Sequence, residues 1–239
     1  DIDTTLSYFY QKQDIGGRSI VHGNSLADTN PLSTIIGDYE SAYRVEEPIT
    51  NENSLISLEI SADLGFAELV SATGYSKSDS EGQRDQTDLL ISLDYSYEEF
   101  PAFTTFTRDT NSKEVLTEEI RLVSTSESDL SWVVGAFYNK KVITNEFKEF
   151  TPGYGEYRVE TWGAAQARPD NLEYIQQSED EIVEKAFFGE LNYQATEQLS
   201  LTFGARIYDY KVTSAIGSDL PLLNTMFNGA GPDEININL

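Results

Sequence analysis

Residues 185–211, KAFFGELNYQATEQLSLTFGARIYDYK, form two alternating runs separated by a short polar turn at 196–198. In the first run, the odd positions from Phe187 to Ala195 are apolar or small, whereas the even positions from Glu190 onward are polar. In the second run, the odd positions from Leu199 to Ile207 are again apolar. Because successive side chains of a strand point to opposite faces, this stretch predicts a β-hairpin with one apolar and one polar face.

Two environments fit such a hairpin. Its apolar face can pack on the core of a soluble sandwich, or it can face lipid while the polar face lines a wet lumen. Strand patterns dominate elsewhere, and helical patterns are scarce. Residues 66–79 are also strand-like, but their faces stay ambiguous because Leu69 and Val70 are adjacent. Further alternating runs lie at 3–14, 55–64, 89–97, 116–124 and 130–139.

Composition narrows the class of protein. The chain has 239 residues, no cysteine and a formal net charge of -25, which disfavours binding to the phosphate backbone of nucleic acids. Hydrophobic residues make up 39% and aromatic residues 12%, which argues against disorder. No stretch approaches the roughly 18 apolar residues of a membrane-spanning helix, but strands of a transmembrane barrel alternate and escape that test.

The connections between strands alternate in length. Turns at Gly65, 126–129 and 196–198 are short, whereas the links at 16–38, 77–88, 151–180 and from 214 onward are long and polar. An outer-membrane barrel requires this alternation, with short turns on the periplasmic side and long loops outside, and a sandwich does not. Hairpin strands of about 9–11 residues or more also match the length that a tilted strand needs to cross the hydrocarbon layer.

Aromatic residues lie where the two membrane interfaces would place them. Trp132 and Tyr193 follow or precede short turns on the apolar face, and Tyr138 lies higher on the same face. Aromatic rings with a polar tip favour membrane interfaces. We therefore expect these three to be interface residues, with ordinary core packing as the alternative.

Two ordered stretches point to a family. LTEEIRLVSTSESDLSWVVGAFYNKK at 116–141 and FFGELNYQATEQLSLTFGARIYDYK at 187–211 resemble consecutive barrel segments of TonB-dependent outer-membrane receptors. ELVSATGYSKSD at 68–79 resembles an earlier strand of that family, whereas Ile207-Tyr208 stands where the family has an Arg-Tyr-like pair. The resemblance implies that residues 1–239 are a middle portion of a plugged barrel of 22 strands, of which about nine or ten are expected here.

The same resemblance implies a function and partners. Such a receptor of the Gram-negative outer membrane takes up a scarce nutrient, for which a ferric siderophore is the favoured ligand and a glycan a second option. It contacts lipid and lipopolysaccharide, and it couples to TonB through a plug that this chain does not show. Expected ligand-binding residues are Arg206, Tyr208 and Tyr210 on the upper lumen wall and Tyr154, Tyr157 and Trp162 in a long loop. Alternatively, Arg206 pairs with a lumen carboxylate such as Glu190, and the loop aromatics pack on one another.

Catalysis has little support in the sequence. The single histidine, His22, lies in a polar loop-like stretch, and no nucleophile-elbow, phosphate-loop or zinc-protease motif is present. The acidic stretch SEDEIVEK at 178–185 lacks the spacing of a calcium loop and is expected to be a solvated loop. We therefore expect no enzyme, no cofactor and no metal. The alternatives are a soluble β-sandwich adhesion or glycan-binding module and a β-jelly-roll glycoside hydrolase.

The two ends carry their own expectations. The chain opens in strand-like sequence without a signal peptide, which is typical of a mature or truncated product. The closing stretch DEININL at 233–239 predicts one more strand entering the sheet.

Overall fold

The alternating pattern produces one antiparallel sheet of long strands. The structure is a computed structural model, and it describes residues 1–19, 41, 43–87, 104–125 and 128–238. In this part of the chain, seven strands follow each other in the order β1 to β7, each paired with its sequence neighbours. The strands are β1 Ile2–Ile15, β2 Ile49–Asp63, β3 Ala67–Asp85, β4 Phe106–Ser124, β5 Leu130–Phe150, β6 Leu172–Thr196 and β7 Leu199–Asp219. The predicted all-β antiparallel class is confirmed.

Seven strands lie in the described residues, where nine or ten were expected over the whole chain, and these seven are longer than predicted. The predicted strand at 89–97 lies outside the described residues. Much of the predicted link 77–88 belongs to β3, and the last third of the link 151–180 belongs to β6. The β3 extension is polar on both faces, and the β6 extension has Leu172 and Ile175 on opposite faces, so neither carries an alternation that marks it as strand.

Two segments, 178–185 and 233–238, differ from their predicted secondary structure. Residues 178–185 form part of β6 and not a loop, so their carboxylates alternate between the two faces and do not converge on one point. The closing stretch forms no strand over residues 233–238. Side chains hold its backbone instead: Arg168 Nη1 donates to the carbonyl oxygen of Glu234 at 2.7 Å, and the Asn236 amide donates to Asp219 Oδ2 at 2.8 Å.

The strand register fixes the two faces of the sheet. We define the apolar face by the even-numbered residues of β1, β2, β4 and β5 and the odd-numbered residues of β3, β6 and β7, which the pairings place side by side. The polar face bears the remaining strand residues. Leu69 pairs with Ala62 and Leu122 on the apolar face, which resolves the ambiguity with Val70.

The ends of the sheet are unlike each other. At the short-turn end, the chain reverses between β2 and β3, between β4 and β5, and between β6 and β7. Gly65 has a φ of 85° in the first of these turns, a conformation that glycine adopts without steric cost. The opposite, long-link end carries two helices, α1 Tyr154–Trp162 and α2 Pro221–Phe227. Neither helix is long and apolar enough to span a membrane, nor is any other in the described residues.

Helix α1 lies within the link that the sequence predicted to be irregular. It is bracketed by Gly153 and Gly163, whose φ values of 80° and 68° turn the chain at each end. Most of the buried apolar side chains belong to the two helices, to the residue that follows the C-cap of α1, or to the start of β6: Tyr154, Ala164, Leu172, Ile175, Leu222 and Met226. The packed core is therefore a small cluster at the long-link end and not the space behind the sheet.

Candidate functional site: a two-faced wall

The apolar face is uncovered. Its side chains stay solvent-exposed: Val134 on the inner strand β5 keeps 48% of its full accessible surface, and Phe203 on the edge strand β7 keeps 65%. Among the described residues no second sheet packs against it. A contiguous exposed apolar surface of this extent marks contact with lipid or with another protein.

A sharp boundary closes the apolar face toward the long-link end. On the odd-numbered strands, an apolar or aromatic residue is followed at the next position of that face by a charged one. The pairs are Tyr10 and Lys12 on β1, Tyr75 and Lys77 on β3, Tyr138 and Lys140 on β5, and Ile207 and Asp209 on β7.

This boundary does not follow the rows of hydrogen-bonded residues. The row through Tyr75 continues through Leu116 to Lys140 and through Val183 to Lys211. On β1 and β3 the boundary lies three positions and one position from that row toward the long-link end. On β5 and β7 it lies one position and three positions from the row toward the short-turn end. It therefore moves one residue per strand across the sheet.

The short turns shift in the same direction at the same rate. The β6–β7 turn lies between four and five positions lower in the register than the β2–β3 turn, four strands away. The two borders of the apolar band, at the charged boundary and at the short turns, are therefore parallel to each other and oblique to the strands. One residue, about 3.3 Å, per strand spacing of about 4.8 Å corresponds to a tilt of about 35°. Transmembrane barrels have strands tilted by about 35–45°.

The height of the apolar band follows from the same numbers. On β7 the band runs from Leu199 to Ile207, nine residues. At about 3.3 Å per residue and about 35° of tilt, its height is about 24 Å, close to the roughly 25 Å of a barrel's lipid-facing band. The predicted interface aromatics lie at its two borders: Trp132 and Tyr193 near the short turns and Tyr138 at the charged boundary.

The polar face carries neutral hydrogen-bonding groups and ion pairs. Asn145 accepts from the Asn111 amide and donates to Ser178 Oγ at 3.1 Å, which links three strands. Nearer the short turns, Arg206 Nη2 donates to Glu184 Oε1 at 2.7 Å and its guanidinium lies 5.4 Å from the centre of the Phe137 ring. The predicted alternative partner of Arg206, Glu190, is therefore replaced by Glu184.

The predicted ligand residues form two separate groups. Arg206, Tyr208 and Tyr210 share the polar face at the level of the apolar band and its border, below the upper wall where the sequence placed them. The helix α1 residues follow the outer end of β5. From Gly135, which is level with Arg206, to Phe150 the strand extends about 50 Å at roughly 3.3 Å per residue. One small ligand cannot contact both groups at once.

The helix residues largely contact one another. Tyr154 is buried, and its hydroxyl accepts from Arg158 Nε at 2.5 Å. The rings of Tyr154 and Tyr157 stack at a centroid distance of 6.5 Å, whereas Trp162 stays half exposed. A cavity of about 230 Å³ lies between α1 and α2, lined by Trp162, Leu223 and Phe227 among others.

A second cavity, of about 360 Å³, lies beside the polar face near the long-link end. Its lining includes Arg18, Arg84, Asp109, Asn145 and Phe147. Burial raises the pKa of Asp109, opposed by the charge of Arg84. This combination of cationic, amide and aromatic groups suits a ligand with several hydrogen-bond-accepting oxygens.

A carboxylate near this cavity titrates in the neutral range. Burial, with a smaller contribution from Glu173, raises the pKa of Glu149 to about 7, against the opposing charge of Arg84. Glu149 lies nine residues beyond the Tyr138–Lys140 boundary and thus outside the apolar band. Arg84, Asp109 and Glu149 were not predicted as site residues, because they lie where no strand was predicted or in a polar run without a motif. Across the described part of the chain, no group of three or more histidine or carboxylate residues is placed to hold a metal ion.

Comparison with solved structures gives distant structural neighbours. No protein-family model and no curated protein matches the sequence. The crystal structure of the siderophore receptor PiuA from Acinetobacter baumannii aligns with a TM-score of 0.44 and 16% sequence identity, over 92% of this chain and 37% of that one. The chain thus spans little more than a third of that receptor's length. The proposals below rest on the chain's own residues.

Proposed function

We propose that the chain forms part of the wall of a transmembrane β-barrel in the outer membrane of a Gram-negative bacterium. The observation that carries the proposal is the oblique apolar band, about 24 Å high on strands tilted by about 35°. Both values follow from the register and the side-chain pattern alone. A planar bilayer cutting tilted strands requires this displacement of one residue per strand.

A soluble β-sandwich accounts for less of the pattern. Its apolar face would need a second sheet, and the described residues form a single one. A sandwich also sets no requirement for interface aromatics at both borders of the band or for a charged row at one border only. The edges of β1 and β7 are unpaired among the described strands, as expected where further wall strands continue the sheet.

We further propose that this wall belongs to a TonB-dependent receptor that takes up a scarce nutrient, with a ferric siderophore as the ligand, and that it is not an enzyme. The support is the resemblance of residues 116–141 and 187–211 to barrel segments of that family. The polar face would line the lumen and contact the plug. The cavity at Arg84 and Asp109 and the Arg206 cluster are the candidate ligand contacts. Residues 1–239 would supply wall, lumen and loops, whereas the plug would supply coupling to TonB.

The membrane proposal can be tested with the chain's two tryptophans. Trp132 lies on the apolar face near the short turns, whereas Trp162 lies at the far end of the wall on α1. The complete protein, reconstituted in vesicles with brominated lipids, should show strong quenching of Trp132 fluorescence and none of Trp162. The signals of Trp132 and Trp162 are obtained as differences between the parent protein and its Trp132→Phe and Trp162→Phe variants, so that tryptophans elsewhere in the complete protein cancel. Equal quenching of both residues, or of neither, would refute the proposed placement.

A further inference from the structure

A β-bulge places two carboxylates beside the cavity at Arg84. The register between β5 and β6 shifts after Glu149, and Glu173 is the extra residue of the bulge. Bulges re-aim side chains and are common beside functional sites. The Glu173 carboxylate accepts a hydrogen bond from the Thr151 hydroxyl, and its negative charge acts on Glu149. Because two carboxylates that lie close together resist joint ionisation, this arrangement favours a protonated Glu149.

One arginine lies within reach of Glu149. Arg84, Thr107 and Glu149 occupy a single row of paired residues on the polar face, on β3, β4 and β5 respectively. The backbones of Arg84 and Glu149 are therefore two strand spacings apart, about 10 Å. The side chain between them, Thr107, is short and fully buried, so the two longer side chains can meet above it. Arg84 is thus a partner for Glu149 whenever that carboxylate is ionised.

Arg84 also lines the cavity, where it has a free hydrogen-bonding group. Its Nε is buried without a hydrogen-bond partner among the described residues, and so is Asp109 Oδ1. Buried polar atoms of this kind are rare in folded proteins and indicate a missing partner. The second arginine of the cavity, Arg18, already faces a carboxylate, with 3.5 Å between its Nε and Glu47 Oε2. Arg84 is therefore the better placed of the two cations to bind an anion in the cavity.

The charges around Glu149 come from three neighbouring strands. They are Arg84 on β3, Asp109 on β4 and Glu173 on β6, while Arg158 of α1 lines the adjacent cavity together with Glu173. With Glu149 ionised, two carboxylates on the polar face compete for Arg84 and repel an anion. With Glu149 protonated, only Asp109 opposes Arg84. A single proton therefore changes how well the cavity can hold an anion.

We propose that protonation of Glu149 controls the anion affinity of Arg84: the neutral carboxyl leaves Arg84 to bind an anionic oxygen group of the ligand, and the ionised carboxylate pairs with Arg84 in its place. The inference rests on the proposed function, which takes this cavity as a ligand contact, and it adds the regulation of that contact. Affinity for an anion then falls as pH rises through the range in which Glu149 titrates. Since its pKa is about 7, this range lies near neutrality.

The size of the effect follows from linkage. If an anion binds only the form with Glu149 protonated, its affinity is reduced by the fraction of protein in that form. A pKa of about 7 then lowers the affinity about tenfold between pH 6 and pH 8. Linkage is reciprocal, so anion binding at pH 8 must take up close to one proton from the buffer.

The test measures benzenesulfonate binding to the complete protein in phosphatidylcholine nanodiscs by isothermal titration calorimetry. The sulfonate stays ionised from pH 6 to pH 8, so any pH dependence belongs to the protein, and two buffers of different ionisation enthalpy give the number of protons taken up. The parent protein should bind about tenfold more tightly at pH 6 than at pH 8. Glu149→Gln keeps the shape of the neutral carboxyl, so it should bind equally at both pH values, at the parent's pH 6 affinity, without proton uptake.

Three further variants separate this role from a structural one. Arg84→Gln should lose binding at both pH values. Glu173→Gln removes a charge that raises the pKa of Glu149, so it should move the midpoint of the pH dependence to lower pH and leave the dependence in place. Glu181→Gln is the matched control, because Glu181 lies on the opposite face of β6, where Lys140 Nζ is 2.7 Å from Glu181 Oε2, and its pH dependence should equal the parent's.

Several results would overturn the proposal: equal affinity at both pH values in the parent, a pH dependence that survives in Glu149→Gln, loss of the dependence in Glu181→Gln, or no benzenesulfonate binding at either pH. The membrane placement is scored separately, by quenching of Trp132 in nanodiscs of brominated phosphatidylcholine, as the difference from the Trp132→Phe variant. Absence of quenching refutes the proposed wall. Quenching of Trp132 together with pH-independent binding refutes the role of Glu149 alone.

Discussion

An arginine at the centre of the apolar band should destabilise the protein strongly, and the cost should depend on depth. Phe203 is the middle residue of the nine-residue band on β7, four residues from either border. At about 3.3 Å per residue and about 35° of tilt, it lies about 11 Å from each border. Phe203→Arg places a charge near the bilayer midplane, at a cost of about 2–4 kcal/mol. Phe203 is 65% exposed on the edge strand β7, so contacts with the described residues contribute little to this cost.

Two matched substitutions on the same strand isolate the effect of depth and face. Leu199→Arg lies at the border of the band and should cost about 0–1 kcal/mol. Thr202→Arg points to the polar face beside Phe203 and should be tolerated, because that face is wet. The assay is urea-dependent unfolding of the complete protein in phospholipid vesicles, followed by tryptophan fluorescence and by heat-modifiable mobility on gels.

A cost that does not decrease from position 203 to position 199 would refute the lipid-facing assignment. So would a Thr202→Arg variant that loses as much stability as Phe203→Arg. If the protein folds as a soluble monomer without lipid, the band has another occupant, and a second sheet becomes the leading explanation.

Other parts of the sheet give further predictions. A Cβ at Gly135 would lie 2.5 Å from Phe188 Cζ and 2.9 Å from the Ile120 carbonyl oxygen, so Gly135→Ala should destabilise the protein by about 1–3 kcal/mol. At Gly204 the nearest atom would be 3.7 Å away, so Gly204→Ala is the matched control and should cost far less in the same urea titration. Because the folded-state pKa of Glu149 is raised from 4.5 to about 7, the folded state retains a proton that the unfolded state releases, and stability should fall as pH rises from about 4.5 to about 7 and then level off. After allowance for partial exposure the fall is of the order of 2 kcal/mol; Glu149→Gln should abolish it, and an unchanged pH profile in that variant would show that another group titrates.

The sequence predicted the faces of the strands correctly in the part of the sheet between the short turns and the charged boundary, where the strands are amphipathic. Leu191, Phe203 and Ile207 lie on one face and Asn192 and Arg206 on the other, because alternation is a local property that needs no tertiary information. Adjacent Leu69 and Val70 could not be assigned in this way. Only pairing with β2 and β4 decides which of them lies on the apolar face.

The part of the sheet between the charged boundary and the long-link end was harder to predict, because its strands are mostly polar on both faces. Asn51 and Asn53 bond to Ser80 and Ser78 across β2 and β3 on the polar face, while charged residues occupy the opposite face. Such sequence has no period-2 hydrophobic signal, and it was assigned to loops. The cavity beside Arg84 depends on this extension of the strands, so its residues could not be recognised as a site from the sequence.

The division of each long strand into two parts explains why the candidate ligand residues lie where they do. Below the charged boundary one face is apolar except for Glu118, whose carboxylate accepts hydrogen bonds from Ser71 and Thr73, and the other face is polar, which fits the proposed lipid and lumen. Above the boundary both faces are mostly polar, which fits the proposed contact with water on both sides. From Lys140 to Glu149 the wall rises about 24 Å, at roughly 3.3 Å per residue along the tilted strand. In the proposed membrane placement, the Arg84 cavity therefore lies well outside the bilayer, whereas Arg206 lies at band height. A ligand arriving from outside would meet the cavity first, so substitutions at Arg84 should weaken initial capture, and substitutions at Arg206 should act only on ligand that has already descended into the lumen.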